Sequence, residues 1–234
     1  MKFKITLLSF ILAGFSYGAL AQKSSLKLIA EVPVHFGLGY EGQISKRFSV
    51  GTSVGVFTSP NSTIVIEYLK FIGTDEELLL IIDDAFEFGV VGEVNINYNI
   101  KRSYIGVFTQ VIGVKAKDAS AALVENYYDI KMSDYPLLNA GLSSDRYLTF
   151  KTRLYQAGLL VGHRFPLKGD RFEIDVEMGL SANFASKSKI YSEKRDLSTF
   201  NDRFNEELVE YYKKYAFIPS CGVMLVYKLK PNEN

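Results

Sequence analysis

The sequence predicts an all-β protein, an antiparallel up-and-down barrel that crosses a membrane, and three observations predict it. In residues 86–100, Phe86, Phe88, Val90, Val94, Ile96, Tyr98 and Ile100 share one parity, and Glu87, Glu93, Asn95, Asn97 and Asn99 share the other. Successive side chains of a strand point to opposite faces, so this segment has one apolar face and one wet face. It is also longer than a typical soluble strand and long enough to cross a bilayer at a tilt. The second observation is dispersal: 47% of the chain is hydrophobic, yet after residue 21 no apolar run reaches the roughly 18 residues of a membrane helix. The third is an asymmetry of connections. Three are short, at about 43–47, 99–103 and 166–171, and three are long, at about 59–85, 117–147 and 189–212. Membrane barrels gather short turns on one rim and long loops on the other.

Residues 1–21 read as an export signal. Lys2 and Lys4 form a basic start, Ile5–Ala19 is apolar, and Ala19-Leu20-Ala21 is a small-residue cleavage site. Residues 22–234 are then expected as a single barrel domain. Cleavage removes two lysines and no acid, taking the formal charge from +1 to −1. A near-neutral chain gives no electrostatic case for nucleic acid. Cys221 is the single cysteine, which excludes an internal disulfide and a cysteine metal cluster.

The elements follow in chain order. Over residues 26–44, Leu26, Leu28, Ala30, Val32, Val34, Phe36, Leu38, Tyr40 and Ile44 alternate with Lys27, Glu31, His35, Glu41 and Gln43. Pro33 lacks a ladder donor, which places a bulge, kink or tight reversal there. Over 47–57, Phe48, Val50, Thr52, Val54 and Val56 face out, and Arg47, Ser49, Gly51, Ser53 and Gly55 face in. Segments 103–116 and 150–165 are apolar on both parities and read as strands with an apolar inner contact or a register break. Residues 171–185 alternate cleanly, with Glu173, Asp175 and Glu177 on the polar face, and the last strand spans about 215–229. Seven strands are evident. Barrels of this class favour even numbers, and residues 24–32 supply an eighth if the chain reverses at Pro33. A hairpin within 117–147 would instead give ten.

The short turns share a composition. Tyr40 and Phe48 flank Lys46-Arg47, Tyr98 and Tyr104 flank Lys101-Arg102, and Phe165 and Phe172 flank Lys168 and Arg171. Aromatic rings favour the headgroup level, so these six are expected to form a girdle at one rim. The polar faces would meet in a lumen only wide enough for side chains. Glu31, His35, Arg47, Glu87, Glu93, Glu173, Asp175 and Glu177 are expected there as a charge network that pairs across the tube and blocks flow.

On these features the chain resembles small Gram-negative outer-membrane β-barrels of the OmpA/OmpX type. A sharper match lies in the final strand, where Gly222, Leu225 and Tyr227 fit the spacing of the insertion signal of such barrels; the chain departs from it by continuing to Asn234. The resemblance implies an outer-membrane location, contact with outer-membrane lipid and recognition by the barrel-assembly machinery. It does not transfer a function, because such barrels serve as anchors, adhesins, enzymes and pores.

The function expected is non-enzymatic: a structural or surface-interaction role through helical extracellular loops, with an extracellular ligand or protein as partner. Thr74 and Glu77 form a capping box before Leu78, Leu79, Ile81 and Ile82; Ile64, Tyr68, Leu69 and Ile72 repeat at helical spacing; Ser198 caps a segment carrying Phe200, Phe204, Leu208 and Tyr211. These faces could pack together over the mouth, lie on the outer leaflet or grip a ligand. The alternatives are an outer-leaflet lipid-modifying enzyme and a channel for small hydrophobic solutes. His35, four residues from Glu31 on the same face, is the weak catalytic candidate, with Ser49 or Ser53 as neighbours; His163 lies by a basic turn. Glu173, Asp175 and Glu177 spread over about 13 Å, too far for one ion, and no zinc spacing, phosphate loop or nucleotide signature occurs, so no metal or cofactor is expected. Intact-mass measurement of the exported protein should find a chain starting at Gln22.

Overall fold

The computed structural model describes residues 23–58, 63, 64, 66, 67, 70, 71, 86–120, 147–169, 171–191 and 217–229. Among these, eight strands follow one another: β1 (Lys23–Val32), β2 (His35–Gln43), β3 (Phe48–Phe57), β4 (Phe86–Ile100), β5 (Ser103–Ser120), β6 (Tyr147–Pro166), β7 (Phe172–Tyr191) and β8 (Phe217–Lys228). Each pairs antiparallel with the next, and β8 returns to β1, from Ser25 opposite Lys228 to Val32 opposite Cys221. The barrel is closed, so every strand has two neighbours and no edge remains.

The alternation read in the sequence becomes the two faces of the wall. Leu26, Leu38, Val54, Val94, Ile105, Leu159, Met178 and Leu225 are exposed on the outside, whereas Lys27, Glu41, Ser53, Asn97, Gln156, Asp175 and Ser181 are buried inside. Phe88 and Tyr98, both outward on β4, are ten residues apart. That is roughly 33 Å along a strand and about 25 Å after a typical barrel tilt, the height of a lipid-facing apolar band.

One rim carries the short turns. Ile44 and Ser45 donate to the Phe48 carbonyl, and the Ser45 hydroxyl accepts from the amides of Arg47 and Phe48. Lys101 adopts φ 57° in the two-residue β4–β5 turn, and Gly169 adopts φ 102° in the β6–β7 turn, where Leu167 donates to the Phe172 carbonyl. The ladder continues into these turns, with Asn99 donating to Arg47, Arg164 to Arg102, Lys228 to Arg171 and Leu229 to Ser24, all at 2.7–2.9 Å. The rim backbone is thus bonded all the way round.

The opposite rim is uneven. β1, β2 and β3 have 10, 9 and 10 residues, while β5, β6 and β7 have 18, 20 and 20. The chain reverses between β1 and β2 at Pro33-Val34, which makes residues 23–32 the eighth strand. Val34 corrects the expected pattern: it is buried, not outward, because it belongs to the turn and packs into the lumen against Phe57, Val91 and Ile112. β5 and β7 also run further than expected, to Ser120 and Tyr191. Residues 63, 64, 66, 67, 70 and 71 are helical, in keeping with the spacing from Ile64, and Phe71 is exposed. Tyr68, Leu69 and Ile72, and the helices expected after Thr74 and Ser198, lie outside the described residues.

β5 and β6 interlock inside the barrel by size. Tyr104 sits opposite Gly162 and Phe108 opposite Gly158 in the register, and a β-carbon on Gly162 would come 2.2 Å from the Tyr104 ring. The missing side chains are the space the rings occupy. Gly162→Val should therefore destabilise the barrel by about 1–3 kcal/mol through overpacking, and adding Tyr104→Ser should recover part of the loss; urea unfolding in detergent micelles, read by heat-modifiable gel mobility, measures both.

Candidate functional site in the lumen

The lumen is filled in layers. Nearest the short-turn rim lies a charged layer. Lys27 Nζ is 2.8 Å from Glu41 Oε2 and 3.5 Å from Asp175 Oδ2; Arg164 Nη2 is 2.9 Å from Glu41 Oε1, and its Nε is 3.8 Å from Asp175 Oδ2. Two cations from β1 and β6 thus meet two anions from β2 and β7, which satisfies the requirement that buried charges be paired. Tyr104 lies against both cations, its ring centroid 4.7 Å from the Arg164 guanidinium carbon and 5.8 Å from Lys27 Nζ. Its hydroxyl donates to Glu177 Oε2 at 2.9 Å. Glu173 pairs with Lys228 at the edge of this layer.

A vestibule of about 240 Å³ enters from the short-turn rim and ends on Lys27, Glu41, Arg164 and Asp175. Beyond the charged layer is a chamber of about 20 Å³, lined by Glu31, His35, Ser53, Glu93 and Glu177 among others. That is room for one water molecule. Glu93 accepts from Asn95 at 3.0 Å, and His35 Nδ1 lies 3.4 Å from Glu31 Oε2. A β-carbon on Gly55 would come 2.2 Å from His35 Cδ2, so the glycine makes room for the imidazole. Further along, Gln110 Nε2 donates to Gln156 Oε1 at 2.5 Å, and Ser181 donates to the same oxygen at 3.3 Å. Val34, Phe57, Val91 and Ile112 then form an apolar layer, with Val114 and Leu154 packed on it.

Most residues expected in the lumen are brought together there: Glu31, His35, Glu93, Glu173, Asp175 and Glu177. The side chain of Glu87 lies outside those described. Arg47 is a correction: it sits exposed at the rim, where its Nη1 donates to the Tyr98 hydroxyl at 3.1 Å, because it precedes β3 and is free to turn outward. Tyr104 is a second correction. It is 1% exposed and points inward rather than joining the girdle, since Gly162 opens a space for it inside. Phe48, Phe165 and Phe172 are exposed on the outer face of the rim, and Tyr98 meets Phe48 edge to face; Tyr40 is register partner to Leu26 and Thr52. In β8, Gly222 is buried facing Glu31, and Leu225 lies on the exposed face.

Sequence reasoning missed two contributors, the Gln110–Gln156 pair and Ser103, whose hydroxyl lies 2.9 Å from His163 Nδ1; of the apolar layer it anticipated the inner contact from 103–116 and 150–165 but not Val34, Phe57 or Val91. The Ser103–His163 pair is exposed at the rim, with His163 against Phe165. Among the described residues, no group of three His, Cys, Asp or Glu is arranged to hold a metal ion.

A lumen lined by buried side chains, a closed ladder and an apolar exterior define the class: a membrane-spanning up-and-down β-barrel of eight strands, the fold type of small outer-membrane barrels. Among solved structures it is similar to a major outer membrane protein from Thermus thermophilus, at 11% identity over 88% of this chain and 99% of that one, with a TM-score of 0.42. It is also similar to the N-terminal β-barrel domain of Pseudomonas aeruginosa OprF (7% identity, 89% and 98% covered, TM-score 0.41), and to the outer membrane protein AlkL in DMPC lipid bilayers (9%, 92% and 93%, 0.38). Neither a protein-family model nor a curated protein matches the chain.

Glu41 is shared by both cations, so it holds the charged layer together. Glu41→Gln should cost about 3 kcal/mol of unfolding free energy by stranding buried positive charge, and Glu41→Gln with Lys27→Met should cost less; equilibrium unfolding in phospholipid vesicles gives both values.

Proposed function

We propose that this chain is a non-enzymatic outer-membrane protein whose barrel is a closed anchor and whose long connections, gathered at one rim, engage an extracellular ligand or protein. The observation that carries this reading is the filled lumen. A continuous aqueous path would have to pass the Lys27–Glu41–Arg164–Asp175 layer and then the Val34, Phe57, Val91 and Ile112 layer. The second presents apolar side chains from the Pro33-Val34 turn, β3, β4 and β5, which offer an ion no replacement for its water. The exposed apolar band supports insertion, and β8, with Gly222, Leu225 and Tyr227, supplies the strand that assembly machinery would read.

The position of His35 supports the non-enzymatic reading. Its side chain is 1% exposed, enclosed by Glu31 and the chamber wall. A lipid chain on the outer face has no route to it. A solute channel is disfavoured by the same two layers that fill the tube.

In planar bilayers the purified protein should show no steady conductance, and Lys27→Ala should leave it closed because the apolar layer remains. Reproducible open channels in the unmodified protein would remove the anchor reading.

A further inference from the structure

Two matching clusters stand on the outer face of the short-turn rim. In the first, Phe48 of β3 and Tyr98 of β4 are register partners, and their rings meet edge to face at 5.3 Å and 65°. Arg47, immediately before Phe48, donates from Nη1 to the Tyr98 hydroxyl at 3.1 Å. In the second, Phe172 of β7 and Tyr227 of β8 are register partners, with rings 5.2 Å apart at 51°. Arg171, immediately before Phe172, donates from Nη1 to the Tyr227 hydroxyl, again at 3.1 Å. The two lie four strands apart in an eight-stranded ring, on opposite sides of the barrel.

Neither arrangement follows from the needs of the wall. The carbonyls of Arg47 and Arg171 already accept from Asn99 and Lys228, so the backbone is fixed without the side chains. A guanidinium carries five N–H donors in a planar fork, and the phenol occupies one. Among the described residues neither arginine lies within ion-pair distance of a carboxylate. Both are held outside the lumen by tyrosines at the level where rings meet lipid headgroups. Beside each fork is a Phe–Tyr ledge suited to an acyl chain, and Lys46 and Lys168 add positive charge in the same turns.

We propose that each Arg-Phe/Tyr cluster is a binding site for an anionic phospholipid, with the guanidinium fork on the phosphate and the paired rings against the upper acyl chain. Fork geometry favours phosphate, since a bidentate contact uses two parallel N–H donors. The ring pair selects a lipid-borne phosphate over a free one. The proposal rests on the barrel standing in a bilayer, which heat-modifiable mobility and vesicle insertion test separately.

Native mass spectrometry of the protein released from micelles containing phosphatidylglycerol or phosphatidylcholine decides it. The unmodified protein should retain two phosphatidylglycerol molecules in preference to phosphatidylcholine, and inorganic phosphate at the same concentration should not displace them. Arg47→Gln and Arg171→Gln should each remove one, and the double variant should bind roughly tenfold more weakly, the loss of a charge-assisted contact. Tyr98→Phe with Tyr227→Phe keeps every ring and removes only the hydroxyl that aims the fork; it should weaken binding about threefold, and it keeps the test decisive if the arginine variants insert poorly. Unchanged retention in both double variants, equal retention of phosphatidylcholine, or displacement by inorganic phosphate would overturn the assignment.

Discussion

The constraint on which the structure depends is that a backbone in hydrocarbon must find all its hydrogen-bond partners within the protein. A sheet meets it only by closing, and closure dictates the rest. It forces β8 back against β1. It makes the inner surface a narrow tube, and it sends every second side chain into that tube whatever its chemistry. The lumen network is a consequence of this geometry. Polar residues that keep the inner face distinct from the outer meet one another once inside, and in the Lys27, Glu41, Arg164 and Asp175 layer charge is balanced locally, with Tyr104 lying against the cations.

The interior follows two packing rules at once. Near the short-turn rim, pairing of charges sets the arrangement; toward the long-connection rim, shape does. Phe108 opposite Gly158 and the apolar layer belong to the second regime, while Tyr104 opposite Gly162 stands in the charged layer and answers to both. A pair of charges tolerates small shifts through long side chains, whereas a ring seated over a glycine does not. Register near the short-turn rim is therefore specified by charge together with volume, and further along the tube by volume.

Much of the fold is legible in the sequence for a simple reason. Where one face meets lipid and the other meets polar neighbours, hydropathy reports the side directly, as in β3, β4 and β7. It fails where both faces are apolar. In β5, Tyr104, Phe108 and Ile112 point inward while Ile105, Val107 and Val111 point outward, and no hydropathy scale separates them. The signal that does is the spacing of Gly158 and Gly162, four apart like Phe108 and Tyr104 and running the opposite way. Parity misplaces Val34 because the turn at Pro33-Val34 preserves it, so the alternation runs unbroken through a reversal. Parity misplaces Arg47 because it loses meaning one residue outside a strand. The Ser103–His163 contact joins residues sixty apart, and no local pattern announces it.

The unequal ladders give the barrel a weak side. β1 is held to β8 only from Ser25 to Val32 and to β2 only from Lys23 to Glu31, whereas β6 and β7 are zipped from Thr149–Tyr191 to Pro166–Glu173. Local opening draws on the regions with fewest bonds to break. Among the strands, the first hairpin is thus where ladder amide protons should exchange earliest and where the cylinder should unfasten under load, leaving the β5–β7 slab as the last ordered piece.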